Sequence, residues 1–131
     1  LGGARSCLEA TIRYVSARKI FQVPLSEYDQ TREVLGRLAA RLEAARALCH
    51  AVLEKVQRGD RCRKESSLAK LYTCELAIEV ADRCLQLHGG YGYTTEFLPE
   101  RWLRDLRLNT IGGGTSEVMA YIASREMLAG R

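Results

Sequence analysis

Proline is scarce in this sequence, with two in 131 residues. Long helices therefore meet few breakers, because each proline removes a backbone donor and clashes with the preceding turn. No segment of useful length alternates apolar and polar residues, which excludes a half-buried sheet as the organising element. No apolar run approaches the roughly 20 residues needed to cross a bilayer, so membrane insertion is not expected. There are two histidines, His50 and His88, far apart and with no carboxylate cluster at ligand spacing, so no metal site is expected. Neither a Gly-x-Ser-x-Gly element nor a Cys/His arrangement points to a nucleophile.

The five cysteines (Cys7, Cys49, Cys62, Cys74, Cys84) form no Cys-x-x-Cys pair and are odd in number. Cys49, Cys74 and Cys84 fall on apolar helical positions, where free cysteine acts as a small hydrophobe. Together these features favour a reducing compartment. Net charge is +4, and the local excess sits in Arg58, Arg61, Arg63 and Lys64. That cluster reads as a solvated loop, since a nucleic-acid face would interleave aromatics with the basic residues. Hydrophobic residues make up 47% and charged ones 27%, as in one soluble globular domain with a core of its own.

What is present is helical spacing. Leu1, Ala4, Leu8, Ile12 and Val15 predict a helix over residues 1 to about 19, already under way and ending near Phe21, before Val23-Pro24. Ser26 with Asp29 resembles a capping box for a second helix, which runs to about Arg58. Its Leu35, Leu38, Leu42, Ala45, Cys49, Val52 and Val56 form a narrow seam of the antiparallel-bundle kind. A third helix is predicted from about Lys64 to His88, with Leu71, Cys74, Ile78, Ala81 and Leu85 on one stripe. Pro99 suits the first turn of a short fourth helix through about Leu108. A fifth runs from Thr115 to about Leu128, with Val118, Ile122 and Ala129 on its apolar side. The fold class is all-α, an antiparallel helical bundle.

Two glycine clusters stand out against this background. Gly89-Gly90 follows the third helix and by itself reads as a C-cap. Gly112-Gly113-Gly114 precedes Thr115 and Ser116, both good N-cap residues, and by itself reads as a linker. Glycine at either place also lets another molecule approach the main chain closely. We read His88, one turn beyond Cys84, as packing or capping a helix end rather than as a base.

Taken together, Gln86-x-x-Gly89-Gly90-x-Gly92-Tyr93, then Arg101-x-x-Arg104-Asp105, then Gly114-Thr115-Ser116-Glu117 resemble the C-terminal helical domain of acyl-CoA dehydrogenases. Arg18-Lys19-Ile20-Phe21 resembles that family's Arg-x-x-Phe element, and the resemblance covers nearly the whole chain. It implies that residues 1–131 are one C-terminal domain of a longer flavoenzyme whose N-terminal helical and middle β-domains are not part of this chain. The chain begins at Leu1 rather than Met, which we read the same way.

The resemblance implies FAD as cofactor, with Arg18, Phe21, Gln86, Gly89, Gly90, Thr115 and Glu117 as its contacts. Arg18 would reach the pyrophosphate of a neighbouring subunit's FAD, a task suited to a planar, permanently charged guanidinium. Phe21 would pack near the same cofactor. Gln86, Gly89 and Gly90 would lie against its adenosine and pyrophosphate. Thr115 and Glu117 would sit near the cofactor at a helix N-terminus, where free N–H groups suit phosphate. Two departures bear on this loop: Gln22 stands where the family has glycine, and Asp29 where relatives have a glutamine that contacts FAD, with Gln30 just beyond. Arg104-Asp105 is expected to be a structural ion pair or anchor.

Gly113 occupies the position of the glutamate that removes the substrate α-proton in many members. Isovaleryl- and long-chain-type relatives also lack it and take the base from an earlier helix, which would place it ahead of Leu1. No catalytic residue is therefore expected in this chain. The implied reaction is oxidation of an acyl-CoA thioester to the α,β-enoyl form, with electrons passing to an electron-transfer flavoprotein. A homodimer or homotetramer in the bacterial cytoplasm or the mitochondrial matrix is expected. The alternatives are a non-catalytic assembly module of an inactive homologue and a related flavin monooxygenase.

Overall fold

Helix α3 (Arg63–His88) is the axis of the chain in a computed structural model that describes residues 1–129. Around it pack α1 (Gly2–Ala17), α2 (Asp29–Gln57), α4 (Pro99–Arg107) and α5 (Ser116–Ala129). The all-α bundle expected from the periodicity is the fold observed. Its core joins Ala4, Cys7 and Leu8 of α1, Leu38, Leu42 and Ala45 of α2, and Leu106 of α4 to one side of α3. That side of α3 is Leu76, Ala77, Val80, Ala81 and Cys84. The small residues let neighbouring helices come close, while each fully buried Leu or Val contributes about 1.5–3 kcal/mol.

The stripe expected on α3 is only partly the buried one, with Ala81 in the core. Leu71, Cys74, Ile78 and Leu85 are only half-buried, whereas Ala69, Leu76, Ala77 and Val80 are buried. The buried side is offset around the helix from that stripe and includes alanine and cysteine, so the spacing of the larger apolar side chains does not mark it. On α2 the seam is buried at Leu38, Leu42 and Ala45, half-buried at Leu35, Cys49 and Val52, and exposed at Val56. On α5 the inward side is Met119, Ile122, Ala123 and Glu126, with Val118 and Ala129 exposed. Glu126 faces inward because it meets Arg61 at 3.6 Å and Arg63 at 3.7 Å.

The first connection also differs from expectation. α1 stops at Ala17, and a small antiparallel hairpin follows, β1 (Lys19–Ile20) with β2 (Val23–Pro24), in register Lys19 to Pro24 and Ile20 to Val23. Its two-residue turn is Phe21-Gln22, with φ of 49° and 68°. Ser26 does not cap α2: it lies in a 3-10 turn, Leu25–Glu27, and Tyr28 precedes the helix without a side-chain cap. Arg32 reaches back instead, donating to the Ser26 carbonyl at 3.0 Å and pairing with Glu27.

All five cysteines are free thiols. Cys7 and Cys84 meet in the core between α1 and α3, where their mutual hydrogen bond and burial push the Cys7 thiol up. Among the described residues no helix is long and apolar enough to cross a membrane, and no cluster of His, Cys, Asp and Glu could hold a metal ion.

Candidate functional site

The end of α3 is held by aromatic packing. His88 is buried, donates from Nδ1–H to the Cys84 carbonyl at 2.8 Å, and stacks on Tyr14 of α1 with ring centroids 4.0 Å apart. The Tyr14 hydroxyl donates to the His88 carbonyl at 3.3 Å, and Phe97 packs edge-on against both rings. Burial holds the His88 pKa below its ordinary value of 6.5. With its ring enclosed, His88 is a packing residue, as expected.

Immediately after it Gly89, with φ 60° and ψ −140°, turns the chain in a conformation that side chains rarely adopt. The 3-10 segment Gly89–Tyr93 follows. Gly92 is there for space, since a Cβ would lie 2.6 Å from the Leu85 carbonyl oxygen. Gly90 is different. Its φ is not positive, and a Cβ there would meet nothing within 4 Å. Nothing within this chain requires glycine at position 90.

Gly89 and Gly90 form one wall of an open cavity of about 800 Å³, shared with Gln86 and Arg83 of α3 and with Tyr14 and Arg18 of α1. Gln30 lines it from α2. Arg18 caps α1, and its guanidinium carbon lies 5.4 Å from the centroid of the Tyr91 ring, a cation–π distance. Thus four of the expected contacts, Arg18, Gln86, Gly89 and Gly90, share one cavity. Phe21 does not line it: the ring is 92% exposed at the tip of the hairpin. Asp29 also stays outside, its carboxylate in solvent and 3.9 Å from Arg32, while the neighbouring Gln30 faces in.

Thr115 and Glu117 lie elsewhere in the chain, in a smaller cavity of about 300 Å³ that also includes Arg107 and Thr110. The Thr115 hydroxyl accepts from the Val118 N–H at 3.3 Å and so caps α5. Glu117 is held below the usual carboxylate range, first by its own backbone N–H and then by the Thr115 hydroxyl. The turn before α5 has φ of 65° at Gly113 and 101° at Gly114. Lys70 of α3 holds it by donating to the Gly112 carbonyl at 2.7 Å and to the Gly114 carbonyl. The pairing expected of Arg104 and Asp105 does not occur: Arg104 meets Glu100 and Asp105 meets Arg101, each at 3.3 Å and one turn back. Adjacent helical residues point apart, so each pairs at spacing four.

Sequence reasoning missed Tyr14, Arg83 and Lys70. Tyr14 sits four residues before Arg18 and Arg83 three before Gln86, so helical spacing alone could have flagged both.

Residues 1–128 match the family described as "Acyl-CoA dehydrogenase, C-terminal domain". The chain belongs to the acyl-CoA dehydrogenase family. It is 38% identical over 128 residues to the mitochondrial isobutyryl-CoA dehydrogenase of Dictyostelium discoideum, covering 97% of this chain and 31% of that protein. It is 34% identical over 128 residues to the caffeyl-CoA reductase-Etf complex subunit CarC of Acetobacterium woodii, covering 98% of this chain and 34% of that one. Among solved structures, a glutaryl-CoA dehydrogenase from Mycobacterium smegmatis in complex with FADH2 superposes with a TM-score of 0.90 at 34% identity. That match covers 99% of this chain and 33% of the other. The acyl-CoA dehydrogenase domain described here therefore spans about a third of the length of the relatives it matches.

Proposed function

We propose that this chain is the C-terminal, cofactor- and assembly-contributing domain of an FAD-dependent acyl-CoA dehydrogenase that oxidises an acyl-CoA thioester to its α,β-enoyl form. The observation that carries the reading is Gly90. A glycine that neither backbone conformation nor internal packing requires, on the wall of a cavity lined by Arg18 and Gln86, fits a site where a molecule outside this chain comes close. The residues suit a flavin dinucleotide: guanidinium for phosphate, the Gln86 amide for a polar edge, bare main chain at Gly89 and Gly90, and a tyrosine that orients the cation. The family and the solved relative with FADH2 support the same cofactor.

FAD, when bound, supplies the acceptor for the hydrogen that leaves the substrate β-carbon. This chain's part is to bind and orient. Arg18, Gln86, Gly89 and Gly90 hold the dinucleotide end of a neighbouring subunit's cofactor, with Phe21 covering it from the exposed hairpin. Thr115 and Glu117, in their separate cavity, face the subunit's own cofactor at the N-terminus of α5. Gly113 has no acid to offer, so the carboxylate that takes the α-proton comes from a helix ahead of Leu1. N-terminal helical and middle β-domains complete the protein. Assembly is as a homodimer or homotetramer, with an electron-transfer flavoprotein as redox partner, a choice supported by the Etf complex of one relative. The compartment is the bacterial cytoplasm or the mitochondrial matrix, a reading supported by one relative named as mitochondrial and another from a bacterium.

The test is anaerobic flavin bleaching in the full-length protein with a series of acyl-CoA thioesters. Bleaching by at least one chain length is expected, and its loss when the glutamate ahead of Leu1 is replaced by glutamine. A flavin-loaded protein that no acyl-CoA bleaches would contradict the dehydrogenase reading.

A further inference from the structure

The large cavity carries two positive charges and no negative one. Arg18 and Arg83 both line it, and no Asp or Glu does. Among the described residues neither arginine makes an ion pair. The acid best placed to neutralise Arg83, Glu79 one turn earlier on α3, is held by Arg41 of α2. Gln86 lies three residues after Arg83 and so shares its face of the helix, next to bare Gly89 and Gly90. An uncompensated pair of guanidiniums on one concave wall is complementary to a doubly charged anion, and one such group belongs to the dinucleotide assigned to this cavity.

We propose that Arg83 is a second phosphate-binding cation of the site, acting with Arg18 on the pyrophosphate of FAD. The two differ in how they are held. Arg18 leans on the Tyr91 ring, whereas Arg83 projects from the regular part of α3, so they reach the anion from different elements. This inference rests on the placement of FAD in the cavity, and the experiment separates the two.

Full-length protein stripped of flavin is titrated with FAD, ADP and adenosine at low and high salt. Arg83→Gln is expected to weaken FAD and ADP about tenfold, leave adenosine unchanged and flatten the salt dependence, with Arg83→Lys restoring part of the loss. Arg83→Gln that binds FAD and ADP as the parent does would overturn the assignment, provided Arg18→Gln weakens both. If neither substitution changes FAD binding, the placement of FAD falls as well. An equal loss for adenosine, or a lowered melting temperature of the stripped protein, would make Arg83 a structural residue and overturn the proposal too.

Discussion

The ammonium of Lys70 lies 2.7 Å from the carbonyl oxygen of Gly112, forty-two residues away, and also binds the carbonyl of Gly114. Two charge-assisted bonds from the middle of α3 thus fix a turn of three glycines. The conformational freedom of that turn would otherwise loosen the start of α5. We expect Lys70→Met to destabilise the chain by about 1–2 kcal/mol, the lower part of the range for charged hydrogen bonds because Lys70 is partly exposed. Hydrogen exchange is expected to accelerate first at residues 112–119. Loss spread evenly over all five helices would contradict a local clamp.

His88 makes stability pH-dependent. Its folded pKa is below 6.5 because the ring is buried, so the unfolded chain binds the proton more readily. Stability is therefore fully present above about pH 6.5 and declines as pH falls below it, until the folded state is protonated too. Melting temperature measured from pH 7.5 down to 5.5 is expected to fall, and His88→Gln to flatten that slope. An unchanged slope in the variant would assign the dependence to other groups.

The Phe21-Gln22 turn pairs a hairpin geometry that favours glycine with two side chains that resist it. At Gln22, glycine relieves about 1–2 kcal/mol of left-handed strain and gives back part of that as unfolded-state entropy. Gln22→Gly is expected to stabilise by about 0.5–1 kcal/mol, visible as a higher urea midpoint at unchanged slope. Destabilisation would mean that the Gln22 side chain holds the turn by a contact.

Gly36 lies within α2, exposed, and a Cβ there would meet nothing within 4 Å. Glycine inside a helix costs about 1 kcal/mol relative to alanine. Gly36→Ala is expected to raise the stability of the isolated chain by about 0.5–1 kcal/mol. A decrease would show that a neighbour within the chain approaches that face.

The helices were legible because apolar spacing of three and four survives wherever a helix has one buried side, as at Leu38, Leu42 and Ala45. It misled at α3, where the buried side at Ala77 and Val80 is offset from the Leu71 and Ile78 stripe and includes residues too small to stand out. The hairpin was illegible for another reason. Two-residue strands are too short to show alternation, and Phe21-Gln22 lacks the Asn-Gly signature of its turn. In the site, the Gln86 to Gly90 wall and Arg18 were carried by a family pattern. Arg83 and Tyr14 belong to no motif; helical spacing from Gln86 and Arg18 was their one signal, and the folded proximity of α1 to the end of α3 brings the two pairs to one cavity.

The central claim is that a dinucleotide lies against bare main chain at Gly90. Because a side chain there has open space within the chain and no positive φ to resist, Gly90→Leu should leave the melting temperature of the flavin-stripped protein unchanged. The decisive measurement is FAD content of the purified full-length Gly90→Leu variant, compared with its stripped-state melting temperature. We predict flavin lost at least tenfold with melting preserved; full FAD occupancy in the leucine variant would contradict the account.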